Sequence, residues 1–104
     1  MDSFDYVKNW FESFGYKVLE KPAIQENDCD MHVIGKKKAL RVEVKAIREL
    51  SNGSWQAQSI TTEQKKYDAV AVVFPCGQVL VEKMDDYLKS CSPEGYRTFT
   101  WLKL

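Results

Sequence analysis

The stretch that decides the fold is Asp30-Met31-His32-Val33-Ile34-Gly35-Lys36-Lys37-Lys38-Ala39-Leu40-Arg41-Val42-Glu43-Val44-Lys45-Ala46. Two short apolar runs flank a Gly-Lys-Lys-Lys turn, and that pattern predicts a β-hairpin. In the second run Leu40, Val42, Val44 and Ala46 alternate with Arg41, Glu43 and Lys45. Successive side chains of a strand point to opposite faces, so the apolar set is expected to pack inward. The charged set then lines one wall, about 7 Å between alternate positions. The turn folds the second strand back on the first, which brings Asp30 toward Glu43 although it lies thirteen positions upstream in sequence.

Two carboxylates held close together favour a bound divalent cation. Hard cations such as Mg²⁺ take oxygen ligands, keep several waters and often use only one or two protein carboxylates. Asp30 and Glu43 are the expected ligands, the Val44 carbonyl is a third, and Mn²⁺ is expected to substitute. Lys45 is a compact charge on a flexible stem, suited to orienting an attacking water or steadying charge on a phosphorane-like transition state. The implied reaction is metal-assisted phosphodiester hydrolysis. The acid-X-Lys spacing recurs once, at Glu63 to Lys65. That copy lies in Thr61–Tyr67, which reads as a helix, where residues two apart do not face each other. The bland alternative for Arg41, Glu43 and Lys45 is the solvated face of an ordinary strand. Against it stands the joint pattern of an acid at a strand entrance, a hairpin, the strand motif, a helix and a fully apolar strand.

Outward from the hairpin, Phe4, Val7, Trp10, Phe11 and Phe14 recur at three- and four-residue steps. They predict an amphipathic helix over 3–14, capped by Ser3 or Asp2, stopped by Gly15, with its aromatic stripe in the core. Tyr16–Glu20 is a first strand, residues 21–28 a loop, and residues 47–54 a turn or loop. Thr61 or Thr62 caps a short helix to about Tyr67. Ala69–Phe74 is apolar on both faces, the mark of a central strand, and implies a right-handed parallel crossover from the Glu43 strand. A strand over Gln78–Glu82, a helix over Met84–Cys91 and, over Tyr96–Leu104, a last strand or an oligomer-forming tail complete the pattern.

These residues resemble the PD-(D/E)XK nuclease superfamily, the restriction-endonuclease-like fold that includes Holliday-junction resolvases, some homing endonucleases and many phage nucleases. The resemblance spans most of the chain: the helix ending in Phe14-Gly15-Tyr16-Lys17-Val18, the Asp30 strand, Glu43-Val44-Lys45, the crossover containing Gln64, Ala69–Phe74 and Gln78-Val79-Leu80-Val81. It implies an α/β fold with a mixed sheet of four or five strands flanked by helices, and a Mg²⁺-dependent endodeoxyribonuclease from a phage or mobile element. Asp30 and Glu43 would bind the metal and Lys45 would assist the attacking water. Cys29 stands where the signature has proline, and Asp28 rivals Asp30 as first acid; Asp30 is preferred because it abuts the apolar strand. By resemblance to the resolvase branch, Asp5 or Glu12 on the first helix could join the site. Gln56, Gln58 and Gln64 are candidates for holding water or phosphate, with Gln58 ranked first because 54–58 reads as a strand-like extension beside the motif strand. The alternative is a catalytically inactive DNA-binding or protein-interaction module of the same fold.

At 104 residues the chain is expected to form one domain with a core that needs no disulfides. Three cysteines, Cys29, Cys76 and Cys91, lack zinc-ligand spacing, so a reducing cytoplasmic compartment is expected. The only histidine, His32, is read as a strand side chain, which argues against a catalytic Cys-His pair. The start does not read as a signal peptide, and the longest apolar run is the six residues Ala69–Phe74, far short of a membrane span. Net charge is zero, yet residues 35–48 carry six basic side chains against the one acid Glu43, a local net of +5. Lys36, Lys37, Lys38, Arg41 and Arg48 are the candidate phosphate contacts. Trp55 is read either as a base-stacking platform or as a buried anchor. So small a nuclease covers one strand of a duplex, so cutting both would need a homodimer or higher homo-oligomer.

Overall fold

The computed structural model describes residues 2–20 and 29–100. Helix α1 spans Ser3–Ser13 and starts at Asp2, whose carboxylate accepts the Asp5 N–H while Asp5 returns a bond to the Asp2 N–H, a reciprocal capping box. It ends where Gly15 takes φ +87°, a left-handed conformation that costs glycine no steric penalty. Only part of the aromatic stripe enters the core: Val7 and Phe11 are buried, Trp10 is half-buried, and Phe14 is 65% exposed.

The expected hairpin forms. Strand β2, Met31–Ile34, pairs antiparallel with the first half of β3, Ala39–Glu49, in the register Met31–Val42 to Ile34–Ala39, and the Gly35 N–H closes the turn on the Lys38 carbonyl. Strand β1, Lys17–Glu20, adds antiparallel to β2. The second strand of the hairpin runs three residues past the expected end, so the loop expected over 47–54 shrinks to a turn closed by the Leu50 N–H on the Ser54 carbonyl. That extension is used: Ile47–Glu49 pairs with β4, Trp55–Ala57, which pairs with β7, Thr98–Phe99. On the other side of β3, Val42–Ala46 pairs in parallel with β5, Ala69–Val73, and β5 pairs antiparallel with β6, Val79–Lys83. Helix α2, Met84–Lys89, follows β6.

The sheet is thus mixed, with seven strands among the described residues rather than four or five. The helix expected over Thr61–Tyr67 is a single 3₁₀ turn, Gln64–Lys66. Tyr67 is its only large apolar side chain, so no apolar stripe exists to bury a longer helix against the sheet.

Two apolar clusters cover the two faces. Val7 and Phe11 of α1 pack on Met31, Val33, Val42 and Val44 on one face. Ile60, Tyr67, Met84 and Tyr87 pack on Val70 and Val72 on the other. Because β5 is buried along its whole length and pairs with β3, the charged wall of β3 is not solvated as the alternation alone suggests: Glu43 is 5% and Lys45 6% exposed, whereas Ala46, expected inside, is exposed.

Candidate active site

Strand β2 covers β3 only as far as Val42 and β4 begins again at Ile47, so among the described residues 43–46 are paired with β5 alone. The backbone groups left on the other edge need partners, since an unpaired buried N–H costs as much as a lost hydrogen bond. Side chains supply them. Asp30 Oδ2 accepts the Val44 N–H at 2.9 Å, and Gln58 Oε1 accepts the Ala46 N–H at 3.4 Å while the Gln58 N–H donates to the Ala46 carbonyl at 3.1 Å. The site therefore opens where the strands flanking β3 stop.

Glu43 and Lys45 sit in register with Val70 and Val72 and share a face. Their charged ends are 3.6 Å apart, Lys45 Nζ to Glu43 Oε2. Gln64 bridges them: its Nε2 donates to Glu43 Oε2 at 2.9 Å, and Lys45 Nζ donates to its Oε1 at 2.9 Å. The glutamine is itself fixed, because Oε1 also accepts the Thr61 N–H at 3.0 Å and the Gln64 N–H bonds Thr61 Oγ1 at 3.3 Å. Burial, then the charge and hydrogen bond of Asp30, push the Glu43 carboxyl from 4.5 up to about 7, against the opposing pull of Lys45. Two acids and a lysine therefore meet at one site, Glu43 and Lys45 buried and Asp30 half-buried, with the Glu43 carboxyl raised to about 7.

The structure brings Gln64, not the first-ranked Gln58, to Glu43 and Lys45. Gln58 is exposed and caps the β3 edge, and Gln56 belongs to the neighbouring ribbon. The signal for Gln64 was present: Thr61-Thr62-Glu63-Gln64 is the spacing of a capping box, which ties a glutamine side chain to the start of a helical turn. Glu63 and Lys65, the rival acid-X-Lys pair, are both exposed.

Arg41 is committed elsewhere. Its N–H and Nε donate to Asp68 Oδ2 at 2.8 and 3.3 Å, and Nη2 donates to the Lys66 carbonyl at 2.7 Å. These bonds hold the Asp68 carboxyl below its usual range and strap the crossover to β3. Lys36, Lys37 and Lys38 are exposed at the far end of the hairpin; five residues of strand put Lys38 about 17 Å from Glu43. The positive charge is therefore spread along the hairpin rather than gathered at the acids. Arg48 is exposed and donates to Gln56 Oε1 at 3.2 Å. Trp55 is half-buried in β4, aligned with Glu49 and Phe99. Asp5 is bound in the α1 cap and Glu12 lies 4.0 Å from Lys8; α1 packs on the face opposite Glu43. Asp28 lies outside the described residues. Cys29 Sγ and His32 Nε2 are 3.7 Å apart, a contact not anticipated from sequence, but Cys29 is fully buried. Among the described residues no helix is long and apolar enough to cross a membrane.

Comparison with protein-family models and with curated proteins returns no match. Among solved structures, the chain is similar to a bacterial homing endonuclease, I-Ssp6803I, with a TM-score of 0.78 and 14% identity over 98% of this chain and 72% of that one. The likeness is one of fold, and it extends over β1–β7 and both helices.

Proposed function

We propose that this chain is a metal-dependent nuclease of the PD-(D/E)XK type, hydrolysing phosphodiester bonds in DNA. The observation that carries the reading is the joint placement of Asp30, Glu43 and Lys45 at the gap left, among the described residues, between the β2 and β4 pairings of β3, with Lys45 Nζ 3.6 Å from Glu43. Its fold-level likeness to a homing endonuclease supports the same class of substrate.

The donor set fits a hard cation. Among the described residues no group of three or more His, Cys, Asp or Glu side chains forms a full cage. Two carboxylates and the Val44 carbonyl on the same edge suit Mg²⁺, or Mn²⁺ in its place, which completes its shell with water and substrate phosphate. When bound, such an ion polarises the phosphoryl group and acidifies a water. Asp30 and Glu43 would hold it. Lys45 carries the positive charge that orients the attacking water and meets the charge developing on phosphate. Gln64 is a positioning residue, since its amide fixes both Glu43 and Lys45. Cutting a duplex on both strands calls for two copies related by a two-fold axis.

The second reading is a catalytically silent DNA-binding module. It is favoured by the closed network in which buried Glu43 and Lys45 are satisfied by each other and by the half-buried Gln64. The test is cleavage of supercoiled plasmid, linear duplex, four-way junction, single-stranded DNA and RNA with Mg²⁺, Mn²⁺ or EDTA, beside Lys45→Ala. Metal-dependent cutting that falls by roughly a hundredfold or more in the variant supports the nuclease. Salt-sensitive binding with no cutting on any substrate supports the module.

A further inference from the structure

At the turn of the β2–β3 hairpin, about 17 Å of strand from Glu43, an open cleft of about 610 Å³ is lined by Phe14, Tyr16, Ile34, Leu40 and the turn residues 35–38. Leu40 packs on the α1 cluster, on the face opposite Glu43, so the cleft is separate from the hydrolytic site. Its two aromatic walls face solvent, Phe14 being 65% and Tyr16 40% exposed. Neither ring is loose. Trp10 backs Phe14 at 4.7 Å between centroids, and Phe11 meets Tyr16 edge-on at 6.1 Å. The Tyr16 ring also lies against Gly35, where a Cβ would come within 3.4 Å of it. Lys36, Lys37 and Lys38 are exposed, and among the described residues no acid lines the cleft. Lys38 acts on Asp68, whereas Lys36 and Lys37 have no ion-pair partner among the described residues.

We propose that this cleft is a second DNA site that holds an unpaired nucleotide, its base stacked on Phe14 and Tyr16 and the adjoining phosphates on Lys36 and Lys37. The lysines call for an anion and the rings for a flat apolar surface, and a nucleotide of a single strand offers both. Aromatic rings serve protein interfaces as well, but lysine is depleted where proteins meet, whereas it is a common point-charge contact to phosphate. In a duplex the bases stack on one another and close their faces to side chains, so only an unpaired base fits such walls. The cleft's volume lies within the range of sites that enclose a small organic ligand, which admits a base with its sugar. Binding here needs neither Glu43 nor a metal. That the strand is DNA rests on the nuclease reading.

The test is fluorescence-anisotropy titration in EDTA of a labelled short oligothymidylate, an abasic oligomer of the same length, a blunt duplex, an oligouridylate and a polyglutamate peptide, with wild type, Phe14→Ala, Phe14→Trp and Lys37→Ala. Wild type should bind the oligothymidylate more tightly than the abasic strand. Phe14→Ala should weaken the oligothymidylate roughly tenfold to a hundredfold and leave the abasic strand and the duplex unchanged, while Phe14→Trp keeps wild-type affinity. Lys37→Ala should weaken both single strands and lower their salt dependence. Phe14 lies past the end of α1 and is largely exposed, so both substitutions should leave the thermal transition in place. Equal affinity for the thymidylate and abasic strands, no effect of Phe14→Ala, an equal effect on the duplex, or tighter binding of the oligouridylate or polyglutamate overturns the proposal. Hydrolysis is judged by the cleavage assay: base-dependent binding in a protein that never cuts keeps this site and removes the nuclease, whereas cutting without such binding does the reverse.

Discussion

Glu43 makes the stability of this protein depend on pH in a direction opposite to that of most carboxylates. Its carboxyl is raised from 4.5 to about 7, first by burial and then by Asp30. Between those two values the folded state binds a proton that the unfolded state has released. Stability therefore falls as pH rises; the contribution is full below about 4.5 and lost through about 7. The difference of about 2.5 units, at 1.36 kcal/mol each, is about 3 kcal/mol as an upper bound. For a domain of 104 residues this is on the order of 10 °C in Tm. Other shifted groups lie outside the window, Asp68 being lowered and Cys91 and Tyr87 raised above their usual high values. The assay is urea or thermal unfolding from pH 5 to 8 in EDTA, wild type beside Glu43→Gln. Wild type should lose stability across this range, and the variant should be flat. On the proposed metal site only an ionised Glu43 would bind the cation, so added Mg²⁺ should stabilise wild type more at pH 8 than at pH 5. A variant with the same slope as wild type would refute the reasoning, since the proton would then reside elsewhere.

Two further outcomes follow from single contacts. Gln64→Leu removes the bridge between Glu43 and Lys45 without removing either; cleavage should fall at least tenfold, and the pH-rate profile should shift, because the two groups lose their shared partner. An unchanged profile would reduce Gln64 to packing. Tyr87 Oη is buried with no hydrogen-bond partner among the described residues, so Tyr87→Phe should raise stability by about 1 kcal/mol in urea unfolding while keeping the ring on which Arg97 stacks.

Much of this arrangement was legible because it is periodic or punctuated. The alternation over Leu40–Ala46, the lysine turn and the all-apolar Ala69–Val73 are local signals, and each became the element they imply. What the alternation does not encode is coverage. Glu43 and Lys45 look solvated in a strand read alone, but they share the face of Val70 and Val72 on which Ile60, Tyr67 and Met84 pack, and Gln64 bonds both, leaving them 5% and 6% exposed. The length of β3 escaped because Ile47-Arg48-Glu49 has no strong strand signal of its own; it is held by its hairpin partner β4, and only β4 gains the distant strand β7. Gln64 and Gln58 are equivalent by composition. They part company because the capping geometry at Thr61 aims one inward, while the register of β4 leaves the other on an edge.

Asp30 joins the structural and chemical roles of the site, and two substitutions separate them. Its Oδ2 accepts the Val44 N–H where, among the described residues, no strand does, so the carboxylate completes the sheet as well as facing Glu43. Asp30→Asn keeps an oxygen that accepts the Val44 N–H but removes the charge. The fold should hold, the pH at which Glu43 loses its proton should drop because one of the causes raising it is gone, and the stabilisation conferred by Mg²⁺ should vanish. Asp30→Ala removes the acceptor too and leaves a backbone N–H unpaired, which costs about 1–3 kcal/mol beyond the asparagine variant. Unfolding of the three proteins with and without Mg²⁺ measures both quantities. If asparagine retains the full Mg²⁺ response, Asp30 is a sheet partner and not a ligand; if alanine is as stable as asparagine, the Val44 bond contributes nothing to the fold.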